Sequence, residues 1–250
     1  MPRLLKVLCF ALAVVAFGAF AASCGSHNAQ YRVVNAIPNT TSFDANGFAV
    51  YMNGAAVFSD VCFTCVEPSG KYQSVSGGSD TLDVYTQSEA GQTGATPEIN
   101  SGLNLGGGTQ YTIVMVGNGN TVPLAAQVIT DTNPIPTSGD ADVRIIDASL
   151  ILPAVDVWVL PSSINTCCAQ NPPGQVASGL QYPTSVGGGY QNVGIPTSGG
   201  LTAWVTVHGN DGALILKSIS YTLNAGQNYT LVLTDAVGGG SPPQFVFATP

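Results

Sequence analysis

The feature that most narrows the folds open to this chain is an internal repeat. Tyr31 to Ala36 reads Tyr-Arg-Val-Val-Asn-Ala and returns 112 residues later as Val-Arg-Ile-Ile-Asp-Ala at Val143 to Ala148. Leu105 to Met115 (LGGGTQYTIVM) returns 118 residues later as Leu223 to Leu233 (LNAGQNYTLVL), each copy leading from a turn into an alternating strand. Two echoes in the same order mark a duplicated domain. The segment 131–140, with two prolines followed by Ser138 and Gly139, divides the copies and reads as a short, semi-stiff linker.

Each copy is punctuated like an antiparallel β domain. Alternation and turn residues predict strands near 31–36, 48–53, 71–76, 80–87, 110–117 and 122–130 in the first. In the second they fall near 142–148, 154–160, 189–194, 201–208, 213–222, 228–235 and 243–249. His208 to Gly212 lies between two alternating runs and reads as a tight hairpin. Six or seven short strands in about 100 residues indicate a two-sheet sandwich. Helix formers are scarce beyond the N-terminus, and almost no helix is expected.

The first 23 residues stand apart. Arg3 and Lys6 precede an almost wholly apolar stretch from Leu4 to Phe20, the pattern of an export signal. Ala21-Ala22-Ser23-Cys24 places small residues before a cysteine and resembles the bacterial lipobox, in which the sulfur receives a diacylglycerol before cleavage. Cys24 is therefore the expected lipidation site and the membrane the expected partner. The alternatives are an ordinary cleaved signal and an uncleaved anchor. Gly25 is not the aspartate typical of inner-membrane retention, so a cell-envelope location is expected, at the outer membrane or cell surface if the source is Gram-negative.

Removing 23 residues from 250 leaves 227, enough for two domains. The mature part would carry four basic residues against 14 acidic ones, a formal charge of −10. Nucleic acid is thereby excluded as a partner, because phosphate binding needs clustered Lys and Arg.

Both halves resemble the bacterial repeat family known as domain of unknown function 4397. The residues that carry the resemblance are Arg144-Ile145-Ile146-Asp147-Ala148-Ser149, then Pro153 to Val159, then Ala225 to Thr230. In the first copy Arg32 to Ala36 matches, with Asp44 or Ala49 as the counterpart of Asp156. The family commonly has His where this chain has Asn35 and Asp147, so any role of that histidine is lost here. The resemblance implies an immunoglobulin-like sandwich and an envelope location, and no reaction. The expected fold is thus all-β: two tandem immunoglobulin-like antiparallel β-sandwich domains after a signal peptide. The expected order is signal 1–23, tether 24–30, repeat 31–130, linker 131–140 and repeat 141–250.

Beyond Cys9 and Cys24, four cysteines form Cys62-x-x-Cys65 and Cys167-Cys168. In an exported protein disulfides are the first expectation, with three pairings open. Each pair follows the second strand of its repeat, so equivalent poles are expected. Four thiolates could hold zinc, but one pair lacks the usual spacing and no histidine lies near, so neither a metal nor a cofactor is expected. Arg32 and Arg144 sit inside first strands at matching positions, where a charge needs a partner; an ion pair between Arg144 and Asp156 at the sheet edge is expected. Asp140, Asp142 and Asp147 read as solvated acids rather than a calcium loop.

The chain holds two histidines, His27 and His208, so a Ser-His-Asp site would have to be built on His208. Trp158, Trp204, Tyr190 and Tyr229 could line a sugar-binding face, yet their strand positions favour the core. The function expected is that of a lipid-anchored envelope protein with a non-enzymatic binding, adhesion or spacer role, toward an envelope polymer, glycan or protein. The alternative is a secreted or periplasmic enzyme, a hydrolase or thiol oxidoreductase, on the same scaffold.

Overall fold

The computed structural model describes residues 27–38, 47–168, 174–182, 189–196 and 200–249, and of β15 below not the side chains of 211–212. Cys24, the signal segment and Asp44 lie outside the described residues. Among the described residues every regular element is a strand, in four sheets. In the first repeat the outer sheet runs β3 (Ala55–Val61), β2 (Phe48–Met52), β6 (Gly78–Thr86), β7 (Ile99–Leu105). Its inner sheet runs β4 (Val66–Glu67), β1 (Asn28–Asn35), β8 (Gln110–Val116), β9 (Ala125–Asp131), with β5 (Gln73–Ser76) also on β1. The second repeat has an inner sheet β13 (Gln191–Gly194), β10 (Asp140–Asp147), β16 (Asn228–Thr234), β17 (Gln244–Ala248). Its outer sheet is β12 (Gln175–Leu180), β11 (Val155–Pro161), β14 (Leu201–Val207), β15 (Asn210–Tyr221).

The all-β sandwich class is as expected, with one addition in each copy. β1 pairs with β8 in parallel, and β10 with β16, while the other pairings are antiparallel. The parallel pairs arise because the chain crosses the whole outer sheet between the two strands and returns at its starting end, a connection far longer than a hairpin. β1 begins at Asn28, so the last residues of the expected tether belong to the sheet.

Side-chain alternation in the inner strands decides the packing. Tyr31, Val33, Ile113 and Met115 point into the core of the first sandwich, and Val143, Ile145, Leu231 and Leu233 into that of the second. The residues between them do not face water. Val34, Ala36, Val114, Val116 and Ile129 form one apolar cluster with Ile146, Ala148, Val232 and Val246 across the repeats. The two inner sheets therefore pack face to face, and the described residues form a stack of four sheets with three apolar seams.

Candidate functional site

The seam between the repeats carries the main concentration of buried polar groups. Arg32 on β1 and Arg144 on β10 are 1% and 3% exposed, one residue out of phase with the core positions, so both guanidiniums enter the seam. Arg32 Nε donates to Thr112 Oγ1 at 3.0 Å and Nη2 to Thr230 Oγ1 at 3.3 Å. Arg144 mirrors this, Nε donating to Thr230 Oγ1 at 3.3 Å and Nη2 to Thr112 Oγ1 at 3.5 Å. Arg144 Nη1 also donates to the Thr130 carbonyl at 3.1 Å, and Arg32 Nη1 to that of Thr249. Each guanidinium lies over a tyrosine, Arg32 at 5.1 Å from the Tyr72 ring centre and Arg144 at 4.7 Å from that of Tyr190.

Asp131, the last residue of β9, breaks this local two-fold. It ion-pairs with Arg144 and lies 3.8 Å from Arg32, and it accepts bonds from Thr112 Oγ1 and Tyr72 Oη, both at 2.7 Å. Burial, against the pull of Arg32, pushes the Tyr72 hydroxyl up, and Asp131 adds to the rise. Two cations thus share one carboxylate among the described residues, and hydroxyls, carbonyls and aromatic faces supply the remaining contacts. Desolvating such groups is expensive unless all are satisfied. The cluster is consequently a structural fastener, with Arg32, Arg144 and Asp131 all buried.

The expected Arg144–Asp156 pair does not form. Arg144 lies on the inner sheet and points into the seam, whereas Asp156 lies on β11 of the outer sheet and meets His208 Nδ1 at 2.9 Å. Burial pushes the Asp156 carboxyl up, but bonds from Ser178, His208 and Gly179 outweigh it and hold it below the usual carboxylate range. His208 is half-exposed. Ser178 is spent on Asp156, which leaves His208 with an acid but no positioned nucleophile among these contacts.

Asp142 and Asp147 are not solvated as expected: they are 6% and 1% exposed. Asn192 Nδ2 donates to Asp142 at 3.1 Å. Asn35 and Asp147 occupy equivalent places at the ends of β1 and β10, each accepting from the amide two residues on, Ile37 at 3.0 Å and Ser149 at 2.9 Å. Asn35 Nδ2 also donates to the Val61 carbonyl at 2.8 Å, while Asp147 Oδ2 has no partner. Burial, over the Ser149 amide bond and helped by nearby Asp235, pushes the Asp147 carboxyl up to about 6. No three His, Cys, Asp or Glu among the described residues are grouped to hold a metal.

The structure joins Cys62 with Cys65 and Cys167 with Cys168, at Cα separations of 5.1 and 3.6 Å. The pairs are not at equivalent poles. The first closes the turn after β3, which wraps Asn35 through Thr64 N to Asn35 O at 2.9 Å and Asn35 N to Cys65 O at 3.0 Å. The second lies on the outer face of the second repeat, packed with Trp158, Leu160 and Trp204. Both indoles are therefore buried, Lys217 Nζ lies 4.4 Å from the Trp204 ring centre, and Tyr229 belongs to the core. Of the four aromatics considered for sugar binding, Trp158, Trp204 and Tyr229 are buried, and Tyr190, partly exposed, carries Arg144 over its ring.

Asp131, Tyr72 and the Thr112–Thr230 pair were not singled out in the sequence. The threonines stood at matching places in the second repeat echo, and that symmetry was the available signal. Asp131 has no counterpart in the echo to mark it.

The model of the family described as "Domain of unknown function (DUF4397)" matches residues 29–158. No curated protein matches the chain. Among solved structures the chain is similar to one described as alpha-glucan recognition by family 41 carbohydrate-binding modules from streptococcal virulence factors. That likeness has 10% identity and a TM-score of 0.28, over 88% of this chain and 96% of the other. A second, described as alpha-glucan binding by a streptococcal virulence factor, has 10% identity and a TM-score of 0.27 over 86% and 96%.

Proposed function

Since the chain belongs to the family described as Domain of unknown function (DUF4397), which names no reaction, we propose that it is a lipid-anchored envelope protein with a non-enzymatic role. Its tandem sandwiches serve as a rigid binding or spacer module toward an envelope polymer, glycan or protein. The observation that carries this reading is the use of Arg32, Arg144 and Asp131. These groups, which a catalyst would aim at a substrate, are buried between the repeats and fasten them together. A hydrolase would need a nucleophile at the exposed side of His208, and Ser178 is bonded to Asp156 instead.

The anchor rests on the basic and apolar start of the chain and on the small residues before Cys24. More than one acyl chain gives stable attachment to a bilayer. Mass spectrometry of the protein purified from membranes tests this directly. The expected N-terminal peptide begins at Cys24 and carries acyl mass, and Cys24→Ser releases the protein from the membrane fraction. An unmodified Cys24 in membrane-bound protein refutes the anchor. Screening on an array of envelope glycans and polymers then separates the two roles, retention marking a binding module and its absence a spacer.

A further inference from the structure

One end of the stack differs in chemistry from the other. Gln30 pairs with Gln110 and Gln110 with Asp131, so β1 and β8 begin, and β9 ends, at the same pole. The linker leaves from there and stays there: Asn133 Nδ2 donates to Gln110 Oε1, and Asn228 Nδ2 to the Pro134 carbonyl at 2.9 Å. The turns at this pole, 106–109, 132–139 and 224–227, contain no ionisable side chain themselves, and the ionisable groups bordering them are partly exposed Asp140 at the head of β10 and exposed His27 before β1. Ile135, between Pro134 and Pro136, is 97% exposed, the most exposed large apolar residue among those described.

The opposite pole is acidic. Asn35 closes β1 there against Val61, next to exposed Asp60. Glu89 N donates to the Thr86 carbonyl at 3.1 Å and Glu98 N to that of Val84 at 2.7 Å, which puts both acids at the same end.

We propose that the linker pole is a membrane-contact surface whose inserted side chain is Ile135. The inference rests on the lipid anchor proposed above. Three residues separate Cys24 from the start of β1, so the acylated sulfur would be held within about 14 Å of Asn28. The anchor is thus tethered at this pole, facing a lipid surface with glycine turns and an isoleucine, while the exposed carboxylates of Asp60 and Glu98 lie at the far end. A lone exposed isoleucine is ordinary on a protein surface. This one is distinguished by its place beside the anchor, its rigid proline frame and a turn, 132–139, whose own residues carry no charge.

Brominated lipids, which quench tryptophan by contact, test the proposal. The acylated full-length protein is reconstituted into phosphatidylcholine vesicles as wild type, Ile135→Trp and Val237→Trp. Val237 is 70% exposed in the turn after β16, at the far pole, where Thr234 Oγ1 donates to the Ala36 carbonyl at 3.0 Å. The two native tryptophans are buried and set the background. In Ile135→Trp the added emission should shift to the blue on reconstitution and be quenched by shallow bromines. In Val237→Trp it should stay unquenched. Vesicle-bound Ile135→Trp that is not quenched, or equal quenching of both variants, overturns the contact. Failure of the acylated protein to float with vesicles overturns the anchor, and the contact with it.

Discussion

At the scale of single residues, the repeats place two chemically different side chains in one geometry. Asn35 satisfies its turn as acceptor and donor, whereas Asp147 is held in the same turn with Oδ2 unpartnered and Asp235 nearby. The folded state keeps the Asp147 carboxyl protonated up to about 6, against an ordinary value of 3.8. Its contribution to stability is therefore full below about pH 4 and is lost as pH rises through about 6. Asp147→Asn should be no more stable than wild type at pH 3.5 and more stable at pH 7.5, by up to about 3 kcal/mol. Urea unfolding at the two pH values checks this, and an equal difference at both would contradict it. The threonines and arginines of the seam were legible as repeated positions, but their partners were not. Asp156 seemed the natural mate for Arg144 because a sequence does not say that β10 and β11 belong to different sheets.

At the scale of elements, the central strands were legible and several edge strands were not. β3, β4, β7 and β12 were missed, and each lies at the margin of its sheet. β7 reads INSGLNL and exposes alternate polar positions, and β12 reads QVASGL, so neither shows the apolar run that marks a buried strand. The register of such strands is set by the neighbour they pair with. The Cys62–Cys65 link staples one such region, the turn from β3 that wraps Asn35. Because the closed loop holds only four residues, the Cys62→Ser, Cys65→Ser double variant should lose about 2 kcal/mol on the chain-entropy account. Its Asn35 and Thr64 amides should exchange faster while those of β8 are unchanged. Uniformly faster exchange would show that the link supports the whole sandwich.

At the scale of the molecule, the repeats are not two beads on a string. Val34, Val114 and Ile129 of one repeat are buried with Ile146, Val232 and Val246 of the other, and Arg32 and Arg144 exchange threonine partners across the seam. Separating the repeats would uncover an apolar face on each and break the Arg144–Asp131 pair. Thermal unfolding should therefore show one calorimetric transition, with calorimetric and van't Hoff enthalpies in agreement. Ile146→Asp, which buries a charge in the seam, should lower that transition as a whole. Two separated transitions in the wild type would contradict a shared core.

The two sequence echoes, the all-β class and the sandwich layers are local matters of period and turn chemistry, and the sequence by itself determined them, whereas the cysteine pairing, open to three arrangements in the sequence, was decided by the structure. Only the tertiary structure decided which face of an inner strand meets the other repeat. Alternation says that a strand has two faces and that both are largely apolar, but not what covers the second one. That depended on the packing of two sheets more than a hundred residues apart in the chain, and on Asp131 arriving between two arginines.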